Sequence, residues 1–375
     1  MFELYRLTEV TPYAYHFSGM LFTLIWVIFW KNNSSPYVFS YKKDWKHYLL
    51  FASFLLFVLT SAYGLDFYGY MENVERYYHG ITGFHLEKIY EYIIEYTNQN
   101  YFLFRLVVWG GAMLLFTRTV DKYELDSTRS LFLLFLLFIP VFTYARATLA
   151  MACYYCGIAY FSLKNNKIEK LIGIFLILAS FLFHKSLFVM ILFAVFYYLP
   201  LNKRSFLLLI GFVLLFGYGI DHLMNSFMGA LLGLGDEQLA EKVERNLEIA
   251  DMRADTNMTI YGMISTIWQY VPFYLTFYII SKALLNKENE EKIPFYIKGL
   301  YRIVFSVTLL STAMLLFSEQ TITYFYRYLY MTMIPLVIIL VYLCQSRLLS
   351  VNSYKWILYV GGGYNIFTFL TFILK

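Results

Sequence analysis

Apolar runs of about 18–20 residues recur along this chain, from near residue 13 to residue 373, and short charged loops separate them. That recurrence is the tightest constraint on the fold. A helix of about 20 residues rises roughly 30 Å, the thickness of a hydrocarbon core, and satisfies its own backbone polar groups. A chain built mostly of such runs has too little polar surface to dissolve. It is 60% hydrophobic and only 15% charged, where a soluble domain carries about 25% charged residues. The reading is an all-α, polytopic integral membrane protein. No polar segment is long enough to fold separately, so residues 1–375 read as one membrane domain.

The runs fall near 13–30, 47–65, 101–118, 130–145, 146–163, 170–184, 186–201, 206–223, 260–281, 299–317, 327–344 and 354–373, about twelve spans. Basic residues then assign sides. Lys31, Lys42, Lys43 and Lys46 follow the first run, and Arg118, Lys122 and Arg129 the third. Lys164, Lys167 and Lys170 follow the fifth, and Lys203 and Arg204 the seventh. Lys282, Lys287, Lys292 and Lys298 follow the ninth, and Arg347 and Lys355 lie before the last. These loops alternate, so they share one face, cytoplasmic by the positive-inside rule. Both termini are then expected outside, with no cleaved signal peptide and the first helix kept as an anchor. The net charge of +5 is accounted for by these loops, so no nucleic-acid partner is implied. The long outer segments, 66–100 and 221–260, read as amphipathic surface helices.

The run from Phe175 to Leu199 carries His184, Lys185 and Ser186 at its middle. One continuous helix would bury the charge near the bilayer centre, at a cost of about 2.5–3.5 kcal/mol on insertion scales. It would also put Lys170 and Lys203 on opposite sides. A turn at His184–Lys185 returns both basic clusters to one face. Each half is then short, and the turn is tolerated below the outer surface if it lines a watery cavity.

Four outer features converge on that turn. Asp66 ends the second span in "GLDFYGY", with Tyr68 and Tyr70 beyond it. Arg146 stands at the turn in "YARATLAMA". His184 and Lys185 form "FHKS". Glu319, Tyr324, Tyr326 and Arg327 lie where "SEQTITYFYRYLYMT" re-enters the membrane. Two guanidiniums suit a lipid-linked diphosphate, because the fork geometry holds phosphate oxygens bidentately and never deprotonates. Such charges also stabilise a leaving phosphate. His184 or Asp66 is placed to accept a proton from an attacking hydroxyl. Plainer readings compete: an arginine near a helix end snorkels to headgroups, Asp66 caps the next segment, His184 is a satisfied turn residue, and Lys185 snorkels. Cys153 and Cys156 form a C-x-x-C inside an apolar helix and read as core residues. Asp251 and Asp255 read as a solvated helix face, and Gly361 to Gly363 as close helix packing. No metal-ligand motif and no phosphate-cradling glycine loop is present.

At these features the chain resembles the EpsG family of Wzy-type polysaccharide polymerases. The resemblance rests on "GLDFYGY", on "KIYEYIIEYTNQNYFLF", on "RATLA" at Arg146, on "HKS" at His184 and on "YFYRYLY" at Arg327, in that order over roughly 40–345. Two departures stand out: "TSAYGLD" lacks the family's arginine before the aspartate, and Ala147 replaces the glutamine after the family's arginine. The resemblance implies a GT-C-like polymerase architecture in a bacterial inner (plasma) membrane, with its active site facing the periplasm or exterior. The implied enzyme is a glycosyltransferase that moves a glycan from undecaprenyl diphosphate onto a lipid-linked repeat unit. Arg146 and Arg327 would hold the diphosphate, and His184 or Asp66 would serve as base or orient the acceptor. Tyr68, Tyr70, Glu91, Tyr324 and Tyr326 would line sugar subsites, with Lys185 and Glu319 nearby. The implied partners are the undecaprenyl-diphosphate-linked oligosaccharide, membrane lipid, a flippase and a chain-length regulator, with no metal and no cofactor.

Three other functions fit parts of the pattern. A lipid-linked-oligosaccharide flippase would show mid-span polar residues and repeat symmetry; here the suspicious charges gather at one face. An O-antigen-ligase-like transferase shares the chemistry and differs in acceptor. A membrane acyltransferase could use His184 but leaves two arginines without a task.

Overall fold

The computed structural model describes residues 29–30, 33–39, 43–60, 74–75, 79, 88–98, 100–138, 145–163, 166–184, 187, 190, 193–194, 196–198, 207–208, 210–211, 215, 260–317 and 328–373. Among these residues the architecture is all helical, without strands. The helices are α1 (Trp45–Thr60), α2 (Lys88–Tyr96), α3 (Tyr101–Lys122), α4 (Ser127–Phe138), α5 (Ala145–Leu163) and α6 (Lys167–Phe183). After a 3-10 turn at Phe196–Tyr198 come α7 (Ile260–Leu284), the short α8 (Lys287–Glu290), α9 (Phe295–Phe317), α10 (Met333–Gln345) and α11 (Val351–Ile373). Two stretches, Tyr101–Lys122 and Tyr328–Gln345, are long and apolar enough to cross a membrane by length and composition. The expected runs near 13–30 and 206–223 and the segment 221–260 lie almost wholly outside the described residues.

Asparagines set three helix starts. Asn100 accepts the backbone N–H of Phe102 at 2.9 Å and of Leu103 at 3.2 Å, so α3 begins at Tyr101. Asn166 accepts from Ile168 at 3.0 Å and opens α6, and Asn286 accepts from Glu288 at 3.2 Å and opens α8. The end of α3 is closed by a residue in the left-handed region. Glu124 has φ 56°, its N–H reaches Asp121 O at 3.1 Å, and Leu125 N–H reaches back to Val120 O at 3.1 Å. Arg347, φ 57°, closes α10 in the same way.

The core is the α4–α10 pair. Leu131 to Leu137 and Met333 to Val341 are all buried, because both helices are apolar all round and have protein on every side. Around them pack α1, α3, α7, α9 and α11. Beyond α3 lies the α5–α6 hairpin. It is built on two glycines: a Cβ on Gly157 would lie 2.7 Å from Gly173 O, and one on Gly173 2.8 Å from Gly157 O. Without side chains at these two positions the backbones come into contact. Cys153 and Cys156 are free and buried in α5, as core residues. A Cβ on Gly361 would come within 2.8 Å of Leu136 Cγ, so close packing of α11 on α4 accounts for that glycine.

Among the described residues, basic loops meet at one end. Lys43 pairs with Asp121, and Lys122 with Glu169 at 3.0 Å. Tyr37 donates to Leu349 O at 2.9 Å, Asp126 N–H to Gln345 Oε1 at 2.9 Å, and Tyr342 to Lys292 O at 2.9 Å. Arg129 holds this end together. Its guanidinium donates to Pro36 O at 2.6 Å, to Ser35 O at 3.0 Å and to Val38 O. It lies over the rings of Phe39 and Tyr354 and is 1% exposed.

The run 171–200 does not form one helix. α6 stops at Phe183, and His184 is extended, with φ −156° and ψ 108°. Tyr154 of α5 donates to Met190 O at 2.8 Å. By Tyr197 the chain is back at the basic end, where Arg302 donates to Tyr197 O at 2.6 Å and the Tyr197 ring fills the space beside Gly299. The histidine therefore marks a reversal at the end opposite the basic loops.

Candidate functional site

At that opposite end, α5 begins with Ala145 and Arg146, and α6 finishes at His184. The hairpin thus brings two of the expected site residues to the same end of the same pair of helices. A third, Glu91, is on α2, which packs against both α3 and α6. Asp66, Tyr68, Tyr70, Lys185, Glu319, Tyr324, Tyr326 and Arg327 lie outside the described residues.

The residue that joins the described three is Tyr90. Its hydroxyl donates to the Arg146 backbone carbonyl at 3.3 Å. Its ring meets Phe183, the residue before His184, edge-on with centroids 6.1 Å apart. It also lies 6.2 Å from the Phe104 ring of α3. The α2 pattern explains this placement. Tyr90 and Ile94, one turn apart, are fully buried, while Tyr92 and Tyr96 are 64% and 92% exposed. The amphipathic character expected for this part of the outer segment is therefore present, with Tyr90 on the buried stripe. Glu91 is half-buried beside it, in the first helical turn, where a carboxylate favours the helix dipole.

Arg105 is a second residue that sequence reasoning passed over. It sits one turn into α3 and is 2% exposed. Its guanidinium donates to Leu59 O at 3.2 Å, in the last turn of α1. It also lies over the rings of Tyr101 and Trp109, at 5.7 and 5.3 Å. A cation there stabilises the carbonyl end of α1, from which the chain runs on to Asp66. Both residues left a signal. Arg105 is a charge inside an apolar run, and Tyr90 occupies the apolar stripe of an amphipathic helix.

An open groove of about 730 Å³ runs along α2 and α3. It is lined by Ile89, Tyr92, Ile93, Glu95 and Tyr96 of α2, by Thr97 and Asn98 just after it, and by Val107 of α3. Among the described residues, no group of three His, Cys, Asp or Glu side chains is placed to hold a metal ion.

The profile of the EpsG family matches residues 45–375. The chain belongs to the EpsG family. This is a family of Wzy-like polysaccharide polymerases, and the match runs from the first residue of α1 to the end of the chain. It takes in every expected site residue. No curated protein and no solved structure matches the chain. EpsG membership and the helical architecture agree on a membrane protein with a polysaccharide-polymerase-like activity.

Proposed function

We propose that this protein polymerises a polysaccharide at the outer leaflet of a bacterial cell membrane. It transfers the growing glycan from undecaprenyl diphosphate to the terminal sugar of a lipid-linked repeat unit. The observation that carries this reading is the convergence of Arg146 and His184 at one end of the α5–α6 hairpin, away from the basic loops, joined through Tyr90. By the positive-inside rule the basic end faces the cytoplasm, so the candidate site faces out. About twelve spans would form a single membrane domain around it.

In this reading the Arg146 guanidinium, with Arg327, grips the diphosphate. It also neutralises the charge that develops as the bond from the anomeric carbon to the diphosphate oxygen breaks. The acceptor hydroxyl attacks the anomeric carbon and gives its proton to His184 or Asp66. Lys185 adds positive charge near the leaving group. Glu91, Glu319, Tyr68, Tyr70, Tyr324 and Tyr326 contact the sugars. The groove along α2 receives the isoprenoid tail on Ile89, Ile93 and Val107, which continue onto the exposed face of α3, with Glu95 and Asn98 at its polar edge. A flippase and a chain-length regulator would supply the repeat units and end the chain.

The test is a polymerisation assay on the purified protein, given lipid-linked repeat units. The wild type should build a ladder of longer glycans. Arg146→Ala, Arg327→Ala and His184→Ala should each lower polymerisation by about 10² or more. A ladder that survives all three changes would overturn the site. Movement of the lipid-linked unit across vesicles without glycan growth would favour a flippase.

A further inference from the structure

The basic end carries a second cationic feature that the polymerase reading does not use. Arg118 and Lys122 are one turn apart on α3, and both address Tyr160 of α5. Arg118 donates through Nε to the Tyr160 hydroxyl at 2.8 Å, with its guanidinium 5.7 Å from the ring centre. Lys122 Nζ sits 4.0 Å from the same ring centre. The nearby carboxylates are engaged: Glu169 by Lys122 and Asp121 by Lys43. Arg118 is exposed and makes no ion pair among the described residues. Its Nε is occupied by Tyr160, which leaves the two terminal nitrogens of this exposed guanidinium as the fork that can take a phosphate bidentately.

The surroundings say what kind of phosphate fits. From Leu149 to Ala159, α5 is buried, and at the basic end it opens to the surface from Tyr160 to Leu163. On one side, α3 exposes Leu103, Val107 and Leu114, a stripe that ends at Arg118. On the other side, α6 exposes Ile168, Leu171 and Phe175, with the exposed Lys167 at its start. α3 is long and apolar enough to cross a bilayer, and the 17-residue α6 lies in the same hairpin bundle beside it, so acyl chains cover both stripes. A cationic notch at their common end stands at headgroup depth. Basic pockets between helices at such a depth favour anionic lipid headgroups.

We infer that Arg118 and the Tyr160 hydroxyl bind the phosphodiester headgroup of an anionic phospholipid, in the leaflet at the basic end, while Lys122, paired with Glu169, holds the Tyr160 ring from beneath. The acyl chains lie along the exposed stripes of α3 and α6.

The full-length protein in a neutral detergent tests this. Thermal unfolding and native mass spectrometry are followed as dioleoylphosphatidylglycerol or dioleoylphosphatidylcholine is added. The wild type should retain phosphatidylglycerol roughly tenfold more tightly than phosphatidylcholine, with a raised unfolding midpoint. Arg118→Gln should keep the lipid-free midpoint and bind both lipids alike. Tyr160→Phe, which frees Nε but keeps the ring, should lose part of the preference. Equal retention of the two lipids by the wild type would overturn the site. So would an undiminished preference in Arg118→Gln or, should that variant fail to fold, in Tyr160→Phe. Inorganic phosphate that protects the wild type as well as phosphatidylglycerol would overturn the lipid assignment.

Discussion

The Tyr90 hydroxyl donates to the backbone carbonyl of Arg146 at 3.3 Å, across 56 residues of sequence. One buried tyrosine thereby fixes the distance between the amphipathic α2 and the first turn of α5. Its ring also abuts the last residue of α6, so α2 acts as a clasp over the open end of the hairpin.

Removing only the hydroxyl should matter little. The bond is long, and its loss in Tyr90→Phe should cost about 0.5 kcal/mol and a few-fold of polymerisation. Tyr90→Ala also removes the ring packing, and should cost about 3–5 kcal/mol and most of the polymerisation. Comparing the two variants in thermal unfolding and in the ladder assay separates hydrogen bond from ring. Equal losses would show that the hydroxyl dominates.

Gly157→Ala and Gly173→Ala should each destabilise the protein by about 1–3 kcal/mol. In both cases the new methyl meets a backbone carbonyl oxygen at 2.7–2.8 Å, and backbone cannot rotate aside as a side chain can. The unfolding midpoint in detergent reads the effect. Gly211→Ala is the control, because a Cβ there meets nothing within 4 Å.

Arg129→Met should be the most damaging change at the basic end. It keeps the length of the stem but leaves the carbonyls of Ser35, Pro36 and Val38 without this donor. The cost should be roughly 3 kcal/mol or more. Arg129→Lys should rescue poorly, since one ammonium cannot span three acceptors in a plane. Proteolysis within residues 33–39 reports the release of that segment.

Glu124→Gly should stabilise by about 0.5–1 kcal/mol. Glu124 holds φ 56° in the cap of α3, a conformation that costs an L residue and not glycine. A shift of the unfolding midpoint upward, with unchanged polymerisation, is the expected result.

Local signals carried most of the described architecture. The start of α3 was legible because the apolar run begins at Tyr101, and the start of α5 because Arg146 follows a turn; α6 begins at Lys167, three residues before the expected run, where Asn166 caps it. The reversal at His184 was legible from charge alone, since the lysines on either side had to reach the same face. Burial was harder to read. Arg129 looks like one more loop cation, yet it is 1% exposed. What buries it is a loop 91 to 94 residues earlier in the chain, and no local pattern announces such a partner. Tyr90 and Arg105 did carry local signals, an apolar stripe and a charge inside an apolar run, but those signals do not name a partner. Their roles come from Arg146 and Leu59, which are remote in sequence. Of the candidate site, the positions of Arg146 and His184 followed from topology, whereas the tyrosine that connects them required the packing of α2.

The contact of Gly157 with Gly173 has a mechanical result. Two helices whose backbones touch have no soft layer of side chains between them to slide on. The α5–α6 pair therefore moves as one stiff beam, with Arg146 and His184 riding together at its tip. Any opening of the protein must be hinged elsewhere, because the stiffness of this pair keeps those two groups at one fixed spacing.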